Sequence, residues 1–149
     1  MRKDMNYIVL DVETPNGKND SICSIGVELI DDDKVTDEWY TLVDPEEEFE
    51  SMNIAIHHIT PGMVQGKFEE VWARIAPYAA TRVFVAHNAE FDLTVLAKAL
   101  TLRGMDIPSI RYICTVDLGR RVHYNFTNVK GDLVLSNFSR TLGVELTEH

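Results

Sequence analysis

YIVLDVET, residues 7–14, begins as a strand built for burial and ends in charge. Side chains on a strand alternate between its two faces, so residues two apart point the same way. Asp11 and Glu13 therefore share one face and repel each other. Burying two like charges is costly unless a positive charge sits between them. The next lysine is Lys18, four residues past Thr14, and nothing in the sequence fixes it there. Two readings follow. Either the strand end opens to water, or it holds a cation, and a bound cation is the more economical of the two.

Working outward, residues 21–30 and 35–43 read as two further strands, joined across the acidic turn 31–34 as a hairpin. Residues 51–59 are irregular in pattern. Thr60-Pro61 looks like a helix cap followed by proline at the first helical position. Phe68, Val71, Trp72 and Ile75 mark an amphipathic helix over 68–79, which Pro77 should end or kink. A short buried strand at 81–87 precedes a helix over 89–103. Its apolar stripe is Phe91, Val95, Leu96, Ala99 and Leu100, with Gly104 as the stop. A fifth strand at 111–115, helical segments near 116–123 and 132–142, and a loop at 125–132 complete the chain. The order β-β-β-α-β-α-β-α-α specifies a single α/β domain. Its five-stranded mixed sheet combines a three-strand antiparallel meander with parallel strands, flanked by helices.

The chain has 149 residues, 45% of them hydrophobic and 26% charged, as expected of a soluble globular domain. The apolar runs are too short for a membrane span, and the run that follows the basic N-terminus breaks at Asp11, unlike a signal peptide. Cys23 and Cys114 lack metal-type spacing and read as buried thiols in a reducing cytoplasm. The net charge is −10, and residues 1–75 hold 17 Asp/Glu against 6 Lys/Arg. Much of that acid lies in the runs 31–34 and 44–50, which read as solvated turns. The balance argues against coating long polyanions by charge alone, and permits gripping a chain end through metal ions.

The second chemical signal is VFVAHNAEFD, residues 83–92. A strand ends at His87, Asn88 is placed to cap the next helix, and Asp92 falls in its second turn on the face that meets the sheet. Asp92 either complements the helix dipole or serves a metal.

D-x-E at the end of the first strand and H-N-x-x-F-D about eighty residues later, with IHHIT (56–60) between them, resemble the DEDD exonuclease superfamily. Within it, the chain is most similar to the DnaQ-like proofreading exonucleases related to the epsilon subunit of bacterial DNA polymerase III. The resemblance implies a ribonuclease H-like fold and two divalent ions, Mg²⁺ or Mn²⁺. Asp11 would bridge both metals, Glu13 would bind one, and Asp92 would support the second. The implied reaction is release of 5′-mononucleotides from single-stranded or frayed 3′ ends of DNA or RNA, with a DNA polymerase subunit as the implied partner. Thr14, His57, Asn88 and Phe91 would form the nucleotide pocket, although His57 and Phe91 could equally be packing residues. Two departures fall there. His58 stands where the family has glycine in I-H-G-I, and Pro15-Asn16 replaces the end of the family's E-T-T-G.

LSNFSRTLGVELTEH, residues 135–149, resembles the approach to the family's third motif, H-x-x-x-x-D. His149 would then be the general base or the residue just ahead of it, or a surface histidine without a role. The aspartate of that motif does not follow in the sequence. The expectation is that a C-terminal helix is missing and that the uncovered apolar surface favours self-association. The main reading is an exonuclease. The rivals are an inactive exonuclease-fold module that binds nucleic-acid ends or a polymerase, and a structural α/β protein.

Overall fold

In the computed structural model, β1 (Tyr7–Glu13) is the central strand of a five-stranded sheet of order β3-β2-β1-β4-β5, described over residues 6–117. Its central place explains its unbroken apolar run, because one neighbour pairs on each side. β2 (Ser24–Asp31) runs antiparallel to it and β4 (Val83–Ala86) parallel. β3 (Lys34–Leu42) forms the largely exposed edge, and β5 (Tyr112–Cys114) pairs parallel to β4. This is the mixed sheet expected from the element order.

The β2–β3 hairpin turns on Asp32 and Asp33, both left-handed with φ of 50° and 64°. Two consecutive left-handed residues match the twist of a two-residue hairpin, and Asp tolerates that conformation better than most residues. The core lies on one face of the sheet. Ile8, Leu10 and Val12 of β1 join Ile25, Val27 and Leu29 of β2 there. They cluster with Phe68, Trp72 and Ile75 of α2 (Phe68–Ile75) and with Val95, Leu96 and Leu100 of α3 (Ala89–Leu102). α3 stops where Gly104 adopts φ 68°.

The structure corrects the sequence reading between β3 and β4. The segment of irregular pattern contains a helix, α1 (Ser51–His57), none of whose residues is buried. Met52 and Ile56 are exposed on it, so no core-facing periodicity marks it. The helix start expected at Thr60-Pro61 is only a turn, closed by Met63 N–H donating to the Thr60 carbonyl at 3.0 Å. α2 gives way to a 3₁₀ turn, Ala76–Ala80, at Pro77, which lacks an N–H and crowds the preceding turn. Phe91, expected on the buried stripe of α3, is 38% exposed. The helix expected at 116–123 is described only to Asp117, and the segments at 125–132 and 132–142 and His149 lie outside the described residues. Among the described residues no helix is long and apolar enough to cross a membrane.

Candidate active site at the carboxyl ends of β1 and β4

Because β1 and β4 are parallel neighbours, their carboxyl ends open on one rim, and α3 starts there from His87 and Asn88. The buried face of α3 then returns to β1. Val12 N–H donates to Asp92 Oδ2 at 3.2 Å, and Asp92 is only 4% exposed. Val12 lies between Asp11, which is exposed, and Glu13, which is half-buried. The Asp92 carboxyl is pushed up to about 7 by burial and then by the Asp11 charge; the Val12 hydrogen bond opposes this, and Glu13 adds to the rise. The field of both β1 acids thus reaches Asp92 across the rim.

Their chemistry fits a hard divalent cation. The donors are carboxylate oxygens, and Asp92 is held protonated in part by the very repulsion that a cation would relieve. Among the described residues, however, no three Asp, Glu, His or Cys side chains form a group already shaped to hold a metal ion. The cysteines are free thiols. Burial, and then Glu13, push the Cys23 thiol up to about 12, which keeps it protonated and inert.

Thr14 follows directly on β1 and is buried. Asn53 and His57, one turn apart on α1, both reach it. Asn53 Nδ2 donates to the Thr14 carbonyl at 3.1 Å, and His57 Nε2 lies 2.9 Å from the same oxygen. Ile59 N–H donates to His57 Nδ1 at 3.0 Å, so Nδ1 is an acceptor and Nε2 carries the hydrogen given to Thr14. With both ring nitrogens engaged, His57 can offer a nucleotide only its ring. His58 closes α1 with φ 62° and ψ 18°, a left-handed conformation that favours the glycine expected there.

The acidic run after β3 is not simply a solvated turn. Glu50 Oε1 accepts from Gly17 N–H at 3.0 Å, and Glu47 Oε2 accepts from Ser21 Oγ at 2.6 Å. Asn16 is buried, its Nδ2 donating to the Glu48 carbonyl at 2.8 Å and its Oδ1 accepting from Lys18 N–H at 3.0 Å. The Pro15-Asn16 departure therefore organises the loop after β1 and binds it to the 44–50 segment.

Asn88 occupies the N-cap position of α3, but its backbone is left-handed (φ 65°) and its side chain makes no cap hydrogen bond. The Ala89 N–H is instead taken by Cys114 Sγ at 3.3 Å. Asn88 and Phe91 line a cavity of about 270 Å³ beside the rim. Asn53 went unrecognised in the sequence. Its spacing of four from His57 would have shown it only if 51–57 had been read as helical.

Residues 8–149 match a family model described as Exonuclease. A PolC-type DNA polymerase III of Clostridium perfringens (strain 13 / Type A) is 32% identical over 150 residues, which cover 98% of this chain and 10% of that protein. The PolC-type enzyme of Staphylococcus haemolyticus (strain JCSC1435) is 28% identical over 99% of this chain and 10% of its own length. The chain thus spans about a tenth of the length of these curated relatives. Among solved structures, exonuclease X in complex with 5′ overhanging duplex DNA aligns at a TM-score of 0.71 and 27% identity, over 96% of this chain and 76% of that one. The nuclease domain of 3′hExo, a DEDDh family member bound to rAMP, aligns at 0.74 and 15% identity, over 97% and 82%. The shared fold is the ribonuclease H-like one expected from the sequence.

Proposed function

The chain belongs to the exonuclease family, and from that premise we propose that it is a metal-dependent 3′–5′ exonuclease of the proofreading type. The observation that carries this reading is the return of Asp92 to β1, where burial and then the charges of Asp11 and Glu13 raise its pKa. Asp11, Glu13 and Asp92 would hold two divalent ions, Mg²⁺ or Mn²⁺. Such ions, when bound, neutralise charge on a phosphodiester and make water nucleophilic. The rest falls to the protein. Val12 N–H fixes the Asp92 carboxylate, and Asn53 and His57 hold Thr14 against α1. The exposed ring of Phe91 suits a terminal base without sequence preference. The general-base role that the resemblance gives to His149 lies outside the described residues.

The PolC-type relatives support a replicative polymerase as the setting. The DNA and rAMP in the two solved complexes support nucleic-acid ends as substrate. A single strand labelled at its 5′ end, incubated with the full chain and Mn²⁺, tests the reading. It should shorten from the 3′ side to give 5′-mononucleotides, and a 3′-phosphate should block it. Internal cuts or loss from the 5′ end would contradict the assignment. The absence of a preformed three-ligand group among the described residues favours a second reading, an exonuclease-fold module that binds ends without cutting them. Saturable binding without cleavage in Mn²⁺ would select it.

A further inference from the structure

We propose that the substrate strand behind the terminal nucleotide lies in a groove along the outer face of α3, flanked by Lys18 and Lys98 and ending at Tyr112. This rests on the exonuclease reading and adds to it a binding track. A cavity of about 670 Å³ is lined by Lys18, Leu93, Thr94, Lys98, Leu102 and Tyr112. It shares Glu90, Thr94 and Lys98 with the smaller cavity at Asn88 and Phe91, so the two meet along one helix face. Glu90, Thr94 and Lys98 follow each other at intervals of four, the spacing of a single stripe on a helix. From Phe91 to Leu102 the helix rises about 16 Å, room for about five nucleotides at the spacing of a stacked strand.

Charge and chemistry both suit a single strand. The acid of the stripe, Glu90, is at the end nearest the carboxylate site, and the cation, Lys98, is two turns farther on. Lys18 is the one Lys or Arg between Tyr7 and Asp33 of a chain with net charge −10, and it lines this groove. Asp20 lines it too, two residues from Lys18, whose positive charge acts on its carboxyl. Tyr112 is 56% exposed and Leu102 59%. An exposed aromatic ring beside an exposed aliphatic chain offers a base a face to stack on, and two spaced lysines offer phosphates a charge. Grooves that bind single strands without sequence choice combine these two elements.

The test is the KM of the full-length protein for 5′-labelled oligothymidylates of two to six nucleotides in Mn²⁺, for wild type, Lys98→Ala and Tyr112→Ala. Wild-type KM should fall with length to about four or five nucleotides and then level off. Each variant should raise KM about tenfold on the pentanucleotide and far less on the dinucleotide, with kcat retained. Lys98→Arg and Tyr112→Phe should restore the length dependence, which a merely structural role would not require. Lys98→Ala should also reduce the slope of log KM against log salt by about 0.7. Cleavage by wild type with KM independent of length, or an equal loss in the variants at every length, would overturn this inference alone. No cleavage of any oligonucleotide would overturn the exonuclease reading and the groove with it.

Discussion

The backbone N–H of Val12 donates to Asp92 Oδ2 at 3.2 Å and joins the end of β1 to the first turn of α3 across 80 residues of chain. That bond holds a carboxyl whose pKa is raised from 3.8 to about 7, mainly by burial. The folded protein therefore binds this proton more tightly than the unfolded chain does. Stability from the group is complete below about pH 4, falls by up to about 1.4 kcal/mol per pH unit as pH rises toward 7, and then levels. Asp92→Asn keeps an oxygen for Val12 N–H and removes the slope. Urea unfolding in metal-free buffer at several pH values from 5 to 8 should show a loss of a few kcal/mol in wild type and a flatter profile in the variant. Identical profiles would mean that this proton is not linked to folding.

Asp11 is the largest charge acting on Asp92. Asp11→Asn should therefore lower the Asp92 pKa, a shift readable from its carboxyl carbon by NMR titration. A cation at the rim would act in the same sense, so Mn²⁺ should raise the Tm of wild type at pH 8 and raise that of Asp11→Asn much less. Exonuclease rate in the variant should fall by at least about 10²-fold, the scale of losing one electrostatic stabiliser. Equal Mn²⁺ stabilisation of the two proteins would remove Asp11 from the metal site.

The sequence made the sheet legible because β1 and β4 carry short apolar runs and β2 alternates, and because Asp11, Glu13 and Asp92 interrupt the apolar pattern where charge has no packing reason to be. α1 was not legible. A helix with no buried residue leaves no hydrophobic stripe, and its order comes from Asn53 and His57 bonding to Thr14, a tertiary contact. The acidic run at 44–50 misled for a related reason. Composition alone makes Glu47 and Glu50 look solvated, yet their partners lie about thirty residues earlier in the loop after β1. Asn88 has the residue type of a helix cap, but its left-handed backbone and the Cys114 thiol at Ala89 N–H override that preference.

Asn53 and His57 donate to one carbonyl, that of Thr14, so their contributions should couple. His57→Ala leaves Ile59 N–H without its acceptor and should cost about 1–3 kcal/mol. Asn53→Ala should cost about 1 kcal/mol. A double-mutant cycle by urea unfolding should give an interaction energy above about 0.5 kcal/mol. KM for a 3′ end should rise in both single variants, since Thr14 leads into the loop beside the site. Strict additivity would show that the two side chains act on Thr14 independently.

His58 ends α1 at φ 62° and ψ 18°, with its own N–H bonded to the Ile54 carbonyl at 2.7 Å. The left-handed region costs an ordinary L-residue about 1–2 kcal/mol, although histidine tolerates it better than β-branched residues do. Glycine carries no such cost, but it gains entropy in the unfolded chain that offsets part of the benefit. His58→Gly should therefore stabilise the fold by about 0.5–1 kcal/mol, a rise in Tm of about 1–4 °C for a chain of this length. His58→Val should lose more than about 1 kcal/mol, because a β-branched side chain meets the same backbone with greater steric conflict. Thermal unfolding of the three proteins in one buffer decides the point. The order Gly above His above Val follows from backbone conformation alone, whereas a His58→Gly variant less stable than wild type would mean that the imidazole makes a stabilising contact that outweighs its strained position.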